Sequence, residues 1–194
     1  TPFWRTWLEV PRRQVVPAPA VVRCDGRYTS TDLPTLESVT NPRDLSPEGM
    51  PGGETAGRRA LEDFIASRLE SYHQAPTDMA KPQTSLLSPY LHFGCISALE
   101  AASMLPNTRG ARAWTRQLCW RDFYHYVLLH NPTTPTHAFQ QAYETISWDN
   151  RPDYFEAWKA GKTGYPIVDA GMRELARTGF MHNRARMIVG AFLT

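Results

Sequence analysis

Lysine is nearly missing from this 194-residue chain. Lys81, Lys159 and Lys162 are the only three, so arginine supplies the other 18 of the 21 cations. Arginine suits bidentate phosphate contacts and stacking on planar groups, although a GC-rich coding bias leaves the same skew. The net charge of +2 is too small by itself to announce a nucleic-acid partner. Long apolar runs are missing too. None approaches the ~20 residues of a membrane-spanning helix, and no signal-peptide pattern is read at the start, so no membrane partner is expected. Cysteine is scarce: Cys24, Cys95 and Cys119 show no metal-ligand spacing and cannot all pair. Reduced thiols in a cytoplasmic, intracellular setting are expected, with no metal site. Strand-like alternation, hairpin signals and internal repeats are also absent, which predicts an all-α chain.

Proline is what the chain has in excess, and it clusters early. Pro2, Pro11, Pro17, Pro19, Pro34, Pro42, Pro47 and Pro51 punctuate residues 1–53. A proline-studded stretch of that length, with little periodicity beyond the aromatic start Phe3, Trp4 and Trp7, reads as an interdomain connector. The domain expected after it covers residues 54–194. Leu61, Phe64, Ile65, Leu69 and Tyr72 fall at helical spacing and predict an amphipathic helix over 55–74, with a polar loop over 76–83. Ser97-Ala-Leu-Glu100 is a capping-box pattern that starts a helix closed near Pro106. A long helix is predicted over 110–130, a mostly loop segment over 131–147, and a helix over 152–160 begun by Pro152 and stopped by Gly161. Pro166 opens the next helix and Gly179 closes it. The last begins near Met181 and is still running at Thr194, where its final carbonyls lack partners. A piece of a longer protein is the expectation.

Three stretches carry groups with chemistry. Thr84-Ser-Leu-Leu-Ser88 places three hydroxyls at a loop-to-helix junction, where they can donate to phosphate oxygens beside free backbone N–H groups. Read alone, such a cluster is equally a helix cap, and Ser88-Pro-Tyr-Leu-His-Phe-Gly94 after it is equally an aromatic turn packed in a core. In the long helix, Trp114, Gln117, Trp120, Arg121 and Tyr124 recur at three- and four-residue steps. One helix face is expected to present indole, amide, indole, guanidinium and phenol. That face suits a planar ligand or an unstacked base, where stacking is worth about 1–3 kcal/mol per base; two core tryptophans with a snorkelling arginine is the alternative. In His182-Asn183-Arg184-Ala-Arg186-Met187, Asn183 and Met187 stand one turn apart.

Taken together, Thr84–Gly94, the block Gln117-Leu-Cys-Trp-Arg-Asp-Phe-Tyr124 and Gly161–Thr194 resemble the flavin-binding helical domain of the DNA photolyase/cryptochrome family, closest to its class I cyclobutane pyrimidine dimer photolyases. The likeness covers about 54–194, and Thr1–Trp7 resembles the end of the family's interdomain linker. It implies a multi-helical FAD-binding domain of that type, truncated at its C-terminus, with a U-shaped FAD among the helices. Tyr72, Thr84, Ser85, Leu86, Leu87, Ser88, Trp114, Gln117, Arg121 and Asn183 match positions that bind the cofactor. Trp120 matches the indole that stacks on a flipped thymine dimer. Gln117, Arg121, Tyr124, Asn183, Arg184 and Met187 match positions toward DNA, with Asn183 also on the catalytic wall. Trp148 matches the outermost tryptophan of the chain that photoreduces the flavin. The implied activity is a light-driven lyase on UV-damaged DNA: the dimer is flipped out at a cost of a few kcal/mol, excited reduced flavin lends one electron, the cyclobutane ring splits and the electron returns. The cofactor carries the redox chemistry.

The departures from the family pattern are specific. Gln117 stands where many dimer photolyases carry a glutamate, so it can hydrogen-bond a thymine edge but supplies no negative charge. Phe180 replaces a frequent tryptophan. The arginine usual after the Tyr72 helix is missing, with Pro76 and Asp78 in that loop. The family's N-terminal antenna domain, with its folate or deazaflavin chromophore, and the second half of the flavin domain lie outside this sequence. The 194 residues alone are therefore expected to bind FAD poorly and to be inactive, as part of a parent that is monomeric. Three alternatives stand beside repair of cyclobutane dimers: a cryptochrome photoreceptor with the same fold and FAD; a (6-4) photolyase, disfavoured because that branch usually has histidine at the Asn183 position; and an all-helical scaffold or nucleic-acid module without cofactor.

Overall fold

The computed structural model describes residues 1–23, 26–27, 31–41, 45–74, 79–80 and 83–194. Among them every regular element is helical, as the missing alternation predicts. In order these are α1 (Pro2–Glu9), α2 (Leu36–Val39), α3 (Glu54–Ser67), α4 (Ser88–His92), α5 (Ala98–Ser103), α6 (Arg109–His130), α7 (Pro152–Lys159), α8 (Pro166–Thr178) and α9 (Asn183–Leu193), with 3-10 turns at Glu70–His73 and Gln141–Tyr143. Cys24, Pro76, Asp78 and most of the 76–83 loop lie outside the described residues.

The helix expected over 55–74 is broken. Helix α3 stops at Ser67 because the Arg68 and Leu69 amides both close on the Phe64 carbonyl, at 3.0 and 2.9 Å. A bifurcated ending of that kind turns the chain. The following 3-10 turn keeps both Leu69 and Tyr72 buried. Gly110, at the start of α6, is what lets the turn close. A Cβ there would lie 1.8 Å from the Leu69 carbonyl oxygen, so only glycine permits this approach.

Two apolar clusters result. The first gathers Leu61 and Phe64 of α3, Leu69 and Tyr72 of the turn, Leu87, Tyr90 of α4, Ala101 of α5, and Trp114 and Leu118 of α6. The second joins Val168 and Met172 of α8 to Ala185 and Val189 of α9, with Trp158 of α7 against it. The Trp158 indole N–H donates to the Val189 carbonyl at 3.1 Å. Gly171 brings α8 close enough to α9 that a Cβ would meet a Val189 methyl at 3.0 Å.

The turn between α7 and α8 is held by Asp169, a buried carboxylate at the end of the first turn of α8. It accepts from the Thr163 hydroxyl and amide, each at 2.7 Å, and from the Gly164 amide at 3.0 Å. The Thr163 hydroxyl first, and then these amides and the Arg173 charge, hold its pKa below the ordinary carboxylate value. Ser97 caps α5 by accepting from the Glu100 amide, but the Glu100 carboxylate reaches Arg58 of α3 instead of returning to Ser97. Half of the expected capping box thus becomes a tertiary contact.

The aromatic start of the chain is a docked helix. Thr1 caps α1. Phe3 packs edge-on against Phe123 of α6 at 5.2 Å, and the Trp7 indole donates to Asp122 at 2.8 Å. The first nine residues therefore belong to the surface of the helical body. Their helical spacing of Phe3, Trp4 and Trp7 was the available signal.

Candidate functional site

Residues 84–88 enter the structure as an irregular turn packed on the first cluster. Leu86 adopts a left-handed backbone (φ 57°), and Leu87 is fully buried. The twist leaves Thr84, Ser85 and Leu86 half-buried and Ser88 exposed. Ser85 accepts from the Leu87 amide at 3.4 Å, while the Ser85 and Leu86 amides meet no acceptor among the described residues. Arg68, one residue past α3, donates to the Thr84 carbonyl at 3.0 Å and fixes the turn against the α3 end. This anchor was not legible in the spacing, because Arg68 and Thr84 are joined only by the fold.

Phe64 ties the turn to the long helix. Its ring meets Tyr72 edge-on at 5.6 Å and Trp114 at 5.5 Å. Burial pushes the Tyr72 phenol above its ordinary pKa, so it remains a neutral hydrogen-bonding group. Leu91, one turn beyond Ser88 on α4, lines an open groove of about 730 Å³ together with Arg121 and Leu118 of α6. The groove's other walls include Trp7 of α1 and Ala98 of α5, and none of residues 84–88 lines it; the turn and α6 are joined through the core, where Leu87 and Leu118 share one cluster. Arg121 is partly exposed and lies 3.5 Å from Asp122.

The single α6 face expected to carry five groups is split. At 100° per residue, Trp114 and Trp120 point 120° apart. Trp114 is 2% exposed inside the core, whereas Trp120 is 43% exposed. Trp120 stacks on the exposed Tyr124 at 5.9 Å and 27°, and meets Phe123 edge-on at 5.5 Å. Gln117 is exposed on the same side. Trp114 thus acts as a wall of the core, and the open aromatic platform is the Trp120–Tyr124 pair with Gln117 one turn before it.

The residues of α9 belong to the second cluster. His182 caps the helix, its Nδ1 accepting from the Arg184 amide at 3.1 Å. Asn183, Arg184 and Met187 are all exposed beyond that cap. His182 is buried, and its Nε2 finds no partner among the described residues; with Nδ1 accepting, Nε2 carries the proton. An orphaned buried donor is expensive unless an acceptor meets it. Trp148 is exposed on the rim of an open groove of about 1370 Å³ that also holds Tyr154, Phe155 and Trp158 of α7 and Phe192 of α9.

The donor set fits a dinucleotide. Hydroxyls and unpaired amides at 84–86 are donors of the kind that suit diphosphate oxygens, and Tyr72 and Trp114 are packed in the core on which that turn rests. No group of three or more His, Cys, Asp or Glu able to hold a metal ion occurs among the described residues, and none of their helices is long and apolar enough to cross a membrane.

Comparison with known proteins agrees with this reading. The family model for the FAD binding domain of DNA photolyase matches residues 114–194. The chain is 40% identical over 196 residues to the deoxyribodipyrimidine photo-lyase of Streptomyces griseus, covering all of this chain and 42% of that protein. It is 36% identical to the Synechococcus enzyme of the same name, covering all of this chain and 43% of the relative. Among solved structures, a bacterial class III photolyase from Agrobacterium tumefaciens superposes with a TM-score of 0.79 at 34% identity, covering all of this chain and 42% of the other. A Synechocystis cryptochrome gives 0.67 at 33% identity, over 76% of this chain and 33% of the other. The chain spans about two-fifths of the length of the curated relatives it matches. A helical module with no cofactor is set aside by these likenesses.

Proposed function

The chain belongs to the DNA photolyase/cryptochrome family, and from that premise we propose that it forms part of a deoxyribodipyrimidine photolyase, an FAD-dependent lyase that splits cyclobutane pyrimidine dimers in UV-damaged DNA. The observation that carries the reading is the convergence of the 84–88 turn, Tyr72 and α6 on one core, with an exposed aromatic platform at Trp120–Tyr124 on its open side.

In this proposal Thr84, Ser85 and Ser88 donate to the FAD diphosphate, with the turn backbone at Leu86 and Leu87 holding them in place. Arg121 neutralises the phosphate charge, and Tyr72 and Trp114 stiffen the cavity. FAD, when bound, supplies the light absorption and the single electron that the ring opening needs. Gln117 donates its amide to a thymine carbonyl without adding charge. Trp120 stacks on the flipped dimer, while Tyr124 extends the platform and Arg184 contacts the DNA backbone. Asn183 and Met187, one turn apart on α9, face the cofactor and the lesion. Trp148, exposed at the rim of its groove, relays electrons from solvent-side donors. No residue needs to act as a nucleophile or general base. A monomeric, intracellular parent with a folate or deazaflavin antenna in a preceding domain completes the proposal.

The test is a blue-light assay with the flavin-loaded full-length protein on dimer-containing duplex DNA, beside Trp120→Ala. Repair in the parent, reduced by at least about fivefold in the variant at sub-saturating DNA, as loss of a base-stacking contact predicts, supports the lyase. Light-driven flavin reduction without any repair assigns a cryptochrome, the reading favoured by the Synechocystis likeness.

A further inference from the structure

Arg112, Arg116 and Trp120 occupy positions i, i+4 and i+8 of α6, all exposed. They form one stripe along the helix, each step advancing about 6 Å. The Arg116 guanidinium sits 5.5 Å over the ring of Trp4, Trp4 stacks on Trp7 at 5.6 Å and 15°, and Arg12 lies 4.4 Å over Trp7. The series guanidinium–indole–indole–guanidinium bridges α1 and α6. Stacking engages the flat faces of the guanidinium groups and leaves their N–H edges free for acceptors. Among the described residues no carboxylate forms an ion pair with Arg12, Arg112 or Arg116. Asp122 of the same helix is already engaged by the Trp7 indole and by Arg121. Between the helices, Trp4, Leu8, Arg112, Ala113, Thr115 and Arg116 line an open groove of about 370 Å³.

We propose that this stripe is a phosphate-backbone contact for duplex DNA, gripping the strand that leads to the base stacked on Trp120. It rests on the reading of Trp120 given above. Unpaired cations in register along one helix suit successive phosphates of a strand better than a single anion, and Arg116 stands one turn before Trp120 of the aromatic platform. The contact is sequence-independent, so it anchors damaged and undamaged duplex alike and leaves discrimination to the platform.

The experiment is a fluorescence-anisotropy titration of the flavin-loaded full-length protein, over a range of salt concentrations, with a duplex bearing one thymine dimer and with its undamaged counterpart. The double variant Arg112→Gln/Arg116→Gln is expected to lower the magnitude of the slope of log K against log salt by about 1.8, at ~0.9 for each phosphate that is no longer neutralised. It is expected to weaken both duplexes by the same factor, so that their ratio is unchanged. Arg59→Gln, an exposed arginine of α3, is the control and is expected to leave the slope unchanged. Unaltered slope and affinity in the double variant overturn the proposal and leave the stripe to an acidic protein partner. An equal drop in the control overturns it as well, since the effect is then net charge alone. If the double variant behaves as expected but Trp120→Ala keeps full discrimination, the phosphate contact stands and the lesion-stacking reading falls.

Discussion

Replacing Gly110 by alanine is the sharpest perturbation of the packing that forms the site. The built Cβ would lie 1.8 Å from the Leu69 carbonyl oxygen and 2.7 Å from that of Glu70. Ordinary contact begins near 3.4 Å, so α6 and the 3-10 turn must part by about 1.6 Å, and the neighbours are backbone rather than a pliant side chain. Overpacking costs about 1–3 kcal/mol, and an unyielding neighbour puts this site at the upper end. Alanine returns about 1 kcal/mol of helix propensity. The net loss is about 2 kcal/mol, a fall of about 4–8 °C in Tm for a protein of this size. Because the turn carries Tyr72 and the helix carries Trp114, FAD affinity in the full-length protein is expected to fall with it. Gly190→Ala is the matched control: it lies in α9 with nothing within 4 Å of a built Cβ, and it is expected to stabilise by about 0.5–1 kcal/mol. Thermal melts and flavin titrations of the two variants read both signs. Stabilisation by Gly110→Ala equal to that by Gly190→Ala would refute the close approach.

Two further outcomes follow from the same packing. Phe64→Ala removes the fully buried ring between Tyr72 and Trp114 and is expected to cost about 3–5 kcal/mol in denaturant unfolding; a cost below about 1 kcal/mol contradicts the bridging role. Asp169 has a depressed folded pKa, so its stabilisation is fully present above the unfolded carboxylate value of about 3.9 and disappears as pH falls through the lower folded value. Asp169→Asn is expected to lower Tm at neutral pH and to flatten the acid limb of the Tm–pH curve, and an acid limb identical to that of the parent contradicts it.

The helical class and most boundaries were readable because they rest on local rules. Proline at the first turn of α7 and α8, and left-handed glycine after α8, act within one turn of where they stand. What escaped was set by groups distant in sequence. The end of α3 depends on Gly110, some forty residues away, and the docking of α1 depends on Phe123 and Asp122. The aromatic pattern of α6 was visible, but spacing alone does not say which tryptophan faces the core; the partner ring Phe64 decides that Trp114 does. Arg68 escaped because its role is a single hydrogen bond to the Thr84 carbonyl. The hydroxyl turn, by contrast, was marked out by composition and again by the family resemblance.

Amide hydrogen exchange of the full-length protein, with and without FAD, tests most directly whether these separated segments share one cofactor. Flavin is expected to protect 84–88, the Gln117–Arg121 turns of α6 and the first turn of α9 together, with a common dependence on its concentration. Protection confined to one of these segments, with the others exchanging as in the flavin-free protein, would contradict a shared site.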